Sequence, residues 1–153
     1  MAQTTVEGID GVQDVVGQHL GHSEWTTITQ EQVNTFAEAT GDHQWIHVDP
    51  ERARAESPFG GPIAHGYLTL SLIPVLLKQV IEMRGFALGV NYGTEKVRFP
   101  SPVPVGSRLR IGVVMAAATP FPGGIATNLE VTAEIEGGAK PVMVATVVYR
   151  QYT

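Results

Sequence analysis

The chain of 153 residues is long enough for one ordinary domain with its own core, and 43% hydrophobic with 16% charged residues is the composition of a folded protein, not a disordered one. A net charge of -5 argues against a nucleic-acid partner, because phosphate binding needs a surplus of Lys and Arg. The absence of cysteine removes disulfides, thiolate metal sites and cysteine nucleophiles together.

Met1 to Asp10 has neither the basic start nor the apolar run of a secretory signal, so a cytoplasmic address is expected. The spacing of Val12, Val15, Val16 and Leu20 predicts a short amphipathic helix over 12–20. Glu24 to Ile28 has the β-branched and aromatic content of a short strand. Thr29 with Gln32 three places later is a capping-box pattern, which opens a helix from Gln30 to Thr40 with Val33, Phe36 and Ala37 facing inward. Gly41 suits the positive φ that commonly ends a helix, and Asp42 then emerges on a loop anchored by packed structure. Asp49 and Pro50 are the cap and first residue of a second short helix, Pro50 to Ala55.

After the loop from Ser57 to Pro62, the stretch Tyr67 to Leu77 is apolar around nearly its whole circumference, which predicts a helix surrounded by other structure. Its polar and proline interruptions, with Lys78 closing the run, exclude a membrane span. Pro74 has no N–H for the carbonyl of Leu70, so a bend or early end is expected there. The remainder reads as strands over 86–99, 108–117, 125–135 and 141–152, joined by the rigid 100–106 connection and by glycine reversals at 121–124 and 137–138. Helices first and strands after point to a single α+β domain, 1–153, whose antiparallel sheet packs on one long apolar helix. All ten basic residues lie from Arg52 onward, where an anionic ligand would be met, against the plainer reading of a solvated acidic face earlier in the chain.

The densest polar chemistry lies in Thr40-Gly41-Asp42-His43-Gln44-Trp45-Ile46-His47-Val48-Asp49. Asp42 and His47 can point at one water and exchange its protons, although on spacing alone such a pair more often forms a structural hydrogen bond or a turn cap. A metal site from Asp42, His43, His47 and Asp49 would be too short to enclose an ion, and none is expected. A second cluster, Pro62-Ile63-Ala64-His65-Gly66-Tyr67, opens the apolar helix, whose first amides lack internal partners and can receive a developing oxyanion. The plainer reading is a tight entry to the core helix.

The run Phe36-Ala-Glu-Ala-Thr-Gly-Asp-His-Gln-Trp-Ile-His-Val-Asp49 resembles the hydratase-2 motif of the MaoC-like dehydratases. Gly61-Pro62-Ile63-Ala64-His65-Gly66 and Val97-Arg98-Phe99-Pro100, with Val103 and Gly106, fall within the same pattern, nearest in kind to small single-domain actinobacterial enoyl-CoA hydratases. The resemblance implies a hot-dog fold, with an antiparallel sheet wrapped around a long central helix, and (R)-specific hydration of trans-2-enoyl thioesters. It further implies catalysis by Asp42 and His47 around one water and an oxyanion donor in the Gly66 amide. Substrate contacts are expected at Trp45, His65, Tyr67 and Arg98, against the plainer reading of Trp45 and Tyr67, like Leu68, Leu72 and Leu76, as core, and with Arg52, Arg54, Lys96, Arg108 and Arg110 as further candidates for the coenzyme A phosphates. In that scheme Asp42 activates the water toward C3 and His47 orients it and manages the proton bound for C2. No cofactor is implied, coenzyme A or acyl-carrier protein arriving as part of the substrate, and a homodimer is expected. Gln44 and Trp45 depart from the Asn and Pro of many relatives. The alternatives are a hot-dog thioesterase and a thioester-binding subunit that needs a partner chain.

Overall fold

A computed structural model describes residues 2–153; Met1, part of the expected domain, lies outside the described residues. In chain order the elements are β1 (Thr4–Glu7), α1 (Gly8–Asp14), β2 (His19–His22), β3 (Thr26–Thr27), α2 (Gln30–Thr40), α3 (Trp45–Val48) and α4 (Pro50–Glu56). They continue with α5 (Gly66–Ser71), α6 (Ile73–Val80), β4 (Ile81–Arg84), β5 (Leu88–Arg98), β6 (Arg108–Phe121), β7 (Gly124–Ile135) and β8 (Met143–Tyr152). None of the described helices is long and apolar enough to cross a membrane.

The four predicted strands form the body of an antiparallel sheet in the order β2-β6-β7-β8-β5, with β3 also paired to β6. Alternate residues of β6 and β7, among them Ile111, Met115, Leu129 and Val131, are buried on the face that meets Ile73, Leu76 and Val80 of α6. Period-two alternation therefore places one face of each strand on the core, as the hot-dog arrangement requires.

Local chemistry decides α2 as read from the sequence. The Thr29 hydroxyl accepts from the Gln32 amide at 3.1 Å, Val33 and Ala37 are buried while Phe36 packs partly against the core, and Gly41 closes the helix at φ 83°. Likewise Asp49 caps α4 by accepting from the Arg52 amide at 3.1 Å.

Four expectations are corrected. The N-terminal helix covers Gly8–Asp14, not 12–20. Val12 and Leu20 both reach the core, but Leu20 does so from β2, because Gly17 and Gln18 are taken up by hydrogen bonds with Met115 of β6. The Glu24 to Ile28 strand shortens to Thr26–Thr27. The central helix is two segments that meet at Leu72, whose N–H is shared between the carbonyls of Leu68 and Thr69 at 3.1 and 3.2 Å. The interruption thus precedes Pro74, which occupies the first turn of α6 where a missing N–H costs nothing. Nor is this unit surrounded: Leu68, Ile73, Leu76, Leu77 and Val80 are buried, whereas Tyr67 and Val75 stand 71% and 55% exposed. The parallel pair β1–β4, in register from Thr4 with Ile81 to Glu7 with Arg84, was not legible beforehand.

Candidate active site

The site is assembled by a short antiparallel weave beneath α2. The Ile63 amide donates to the Ile46 carbonyl at 3.0 Å, Ala64 to Val103 at 2.8 Å, and Val105 to Pro62 at 2.9 Å. These bonds press the single turn α3 against the segment that enters α5, so residues 42–49 and 62–66 become neighbours. Gln30, at the start of α2, donates its side-chain amide to the His47 carbonyl at 2.7 Å and fixes the turn from the other side.

His47 is 7% exposed. Its Nδ1 donates to the Ile63 carbonyl at 2.7 Å, and in the uncharged ring this leaves Nε2 as an acceptor. Burial lowers its pKa below the ordinary imidazole value; the nearness of His65 acts in the same direction, while the Ile63 bond and Asp42 act against it. The Asp42 side chain is 53% exposed, with one oxygen accepting from the Gln44 amide at 3.3 Å. His65 is 2% exposed; its Nε2 donates to the main-chain carbonyl of Asp42 at 3.0 Å, and its ring stacks on His47 with centroids 3.9 Å apart.

One ligand atom from each of Asp42, His47 and His65 lies within 4.8 Å of the others. A water making two hydrogen bonds of about 2.8 Å spans up to about 5 Å between acceptors, so it can be held by a carboxylate and an imidazole at once. A cation bound at Nε2 of His65 would have to displace its bond to the Asp42 carbonyl. The other residues weighed for a metal lie elsewhere in role: His43 pairs with Glu38 at 2.8 Å, and Asp49 is a helix cap.

Gly66 is the first residue of α5, so its amide has no intrahelical acceptor. A Cβ on Gly66 would approach the Phe99 ring at 3.1–3.2 Å, so any larger residue here makes that ring give way by a few tenths of an ångström. Tyr67 points outward and meets Phe99 edge-on, with centroids 6.5 Å apart. Trp45 carries the Arg52 guanidinium over its ring at 4.3 Å. Arg98 is exposed and donates to the Val97 carbonyl at 2.7 Å. The structure thus brings together Asp42, His47 and His65 at the entry to α5, while Trp45, Tyr67 and Arg98 engage neighbours of their own. Sequence reading missed Gln30 and Ile63, which act through an amide side chain and a backbone carbonyl and carry no signal beyond their place beside the motifs.

Residues 12–134 match the model of the MaoC like domain. The chain is 50% identical over 147 residues to 3-hydroxyacyl-thioester dehydratase Z of Mycobacterium tuberculosis (strain ATCC 25618 / H37Rv), covering 95% of this chain and 97% of that protein. It is 48% identical over 139 residues to Nodulation protein N of Rhizobium meliloti (strain 1021), covering 90% and 86% respectively. Among solved structures, the (R)-hydratase of A. caviae involved in PHA biosynthesis superposes with a TM-score of 0.71 at 26% identity, over 88% of this chain and 94% of that one. Fold, motif and matched length agree, and the chain belongs to the MaoC-like dehydratase family.

Proposed function

We propose that this protein is an (R)-specific enoyl-thioester hydratase, working reversibly as a (R)-3-hydroxyacyl-thioester dehydratase, with Asp42 and His47 as its acid–base pair. The observation that carries this reading is the clustering of donor atoms from Asp42, His47 and His65 within 4.8 Å at the entry to α5, with His47 Nε2 left open by the Nδ1 bond to Ile63.

In the hydration direction Asp42 and His47 grip one water. Its oxygen adds to C3 of the enoyl thioester as its proton passes to the pair, and the π electrons move through C2 onto the thioester oxygen. The Gly66 amide, at the partially positive end of α5, stabilises that enolate, which collapses as C2 takes a proton from the pair. The elements of water are added and nothing is oxidised or reduced, so the scheme calls for no cofactor. The acyl chain lies beside α5 and α6, with Trp45 and Tyr67 against the substrate and Arg98 within reach of the phosphate-bearing arm of coenzyme A or an acyl-carrier protein. The unit acts as one domain over 1–153 in the cytoplasm.

A homodimer belongs to the same reading. Among the described residues β5 pairs only with β8, yet it presents Leu88, Val90 and Tyr92 at 54%, 43% and 62% exposure. An unpaired strand edge that carries exposed apolar side chains invites pairing with another chain, and a second copy supplies it. Light scattering tests this by a mass of twice 16.4 kDa.

The decisive assay is incubation with crotonyl-CoA. Loss of the conjugated absorbance without free thiol, with (R)-3-hydroxy product on chiral analysis, is the expected result. Thiol release would identify a thioesterase, and inertness toward short and medium chains would indicate a subunit that needs a partner.

A further inference from the structure

His65 is expected from the motif to stand beside the substrate, but its surroundings give it other work. It is almost completely buried, 2% exposed, and the nitrogen nearest the Asp42 carboxylate, 3.9 Å from Oδ2, already donates to the Asp42 main-chain carbonyl at 3.0 Å. One ring face stacks on His47 at 3.9 Å, and Phe36 packs tilted against the ring at 4.9 Å. His65 therefore touches both members of the proposed acid–base pair, the backbone of one and the ring of the other.

The remaining nitrogen makes the choice of histidine informative. Nδ1 of His65 is buried with no hydrogen-bond partner among the described residues. Leaving a polar atom unsatisfied in the interior is costly, and a phenylalanine would fill similar space without that cost. The imidazole is thus accounted for by what Nε2 does. The Asp42 main chain has few other holds: Gly41 before it sits at φ 83°, and its own amide reaches the Thr40 hydroxyl at only 3.3 Å. Since the Asp42 side chain is half exposed, its aim toward the shared water is set largely by where its backbone is pinned.

We propose that His65 is a positioning residue for the hydration step. Its Nε2–H pins the Asp42 backbone so that the carboxylate meets the water held by His47, and its ring face orients the His47 imidazole. This rests on the reading of Asp42 and His47 as the acid–base pair. The titratable groups that face His47 are Asp42, from the loop after α2, and His65 itself, at the entry to α5; Gln30 and the Ile63 carbonyl are its other polar neighbours.

Two variants of the full chain separate the two contacts, each assayed with crotonyl-CoA across pH. His65→Phe keeps an aromatic ring against His47 and removes the donor to Asp42; kcat should fall about 10- to 100-fold, the scale of a catalytic group displaced by about 1 Å, with KM within about twofold of wild type. His65→Gln keeps an amide donor toward Asp42 and removes the stacked ring; kcat should stay within about fivefold. The acid limb of its kcat/KM profile should move toward higher pH, because a neighbour that lowers the His47 pKa has been removed. A raised KM with unchanged kcat in His65→Phe would make His65 a substrate contact instead. Equal losses in both variants with an unmoved pH profile would reduce it to structural filling, and should His65→Phe fail to fold, an unmoved profile with a large kcat loss in His65→Gln overturns the proposal by itself. Asp42→Asn and His47→Ala serve as controls. If they retain the wild-type rate the acid–base reading fails, whereas if they are inactive while His65→Phe is not, only the role of His65 fails.

Discussion

The segment from Asp42 to Gly66 and the strand β5 from Leu88 to Arg98 are built in opposite ways. The first consists of loop and two short helices of four and seven residues, yet it buries two imidazoles and fixes them through a few bonds to carbonyls. The second is one continuous strand of eleven residues, paired along β8 with register shifts at Asn91/Gly93 and Thr94/Lys96, and exposed along nearly its whole length. Continuous secondary structure is therefore a poor guide to where the proposed chemistry lies. Polar groups are taken out of water, at a cost, where geometry must be held for chemistry; apolar groups are left in water where another surface is expected to cover them.

The sharpest break of this contrast comes from the buried segment. Asp42→Asn and His47→Ala should each lower turnover by about a hundredfold or more, the scale of positioned acid and base groups; Asp42→Asn should unfold close to wild type, whereas His47→Ala should also lose about 1–3 kcal/mol of stability with its buried bond to Ile63. Near-normal rates in either would place the chemistry elsewhere. Gly66→Ala should cost less, about tenfold in kcat/KM, because its methyl must push the Phe99 ring away from 3.1–3.2 Å and disturb the amide behind it. Pairing that change with Phe99→Leu should recover part of the loss; no recovery would separate the Phe99 contact from the effect.

On the exposed side, Leu88→Lys with Val90→Lys places two charges on the open edge. Light scattering should then report 16.4 kDa in place of twice that mass, while monomer stability stays within about 0.5 kcal/mol per substitution, as for surface changes. An unaltered dimer would move the interface away from β5.

The smallest expected effect is on pH dependence. Burial lowers the His47 pKa below 6.5, so the unfolded chain binds this proton more readily than the folded one. The contribution of the uncharged ring to stability is complete above 6.5 and is lost as pH falls through the lowered folded value. Activity that needs Nε2 as an acceptor should follow the same direction, holding level down to about the ordinary imidazole value and declining below it. An acid limb centred above 6.5 would contradict the environment described for His47.

Some of this architecture is local and could be read directly. Thr29, Gln32 and Gly41 bound α2 because capping and positive φ depend on residues only a few positions apart. The alternation in β6, β7 and β8 likewise declares a face, and the Asp42 to His47 and His65-Gly66 motifs named the cluster before its geometry was known. Other features depend on partners far along the chain. Leu20 is equally apolar on a helix or a strand, and pairing with β6 decided the matter. α3 is a single turn, too short to declare itself by periodicity, and it is held by Ile63 from another segment.

What the sequence determined by itself was the inventory: one acid, two imidazoles, a helix entry marked by glycine, and strands with one apolar face. What tertiary structure alone decided was which atoms of those residues remain free. The Ile63 carbonyl sets which nitrogen of His47 is open, and the Asp42 carbonyl occupies the one His65 would otherwise offer. Both are backbone groups that every residue carries, so their influence has no signature in residue type and exists only once the chain has folded two distant segments into contact.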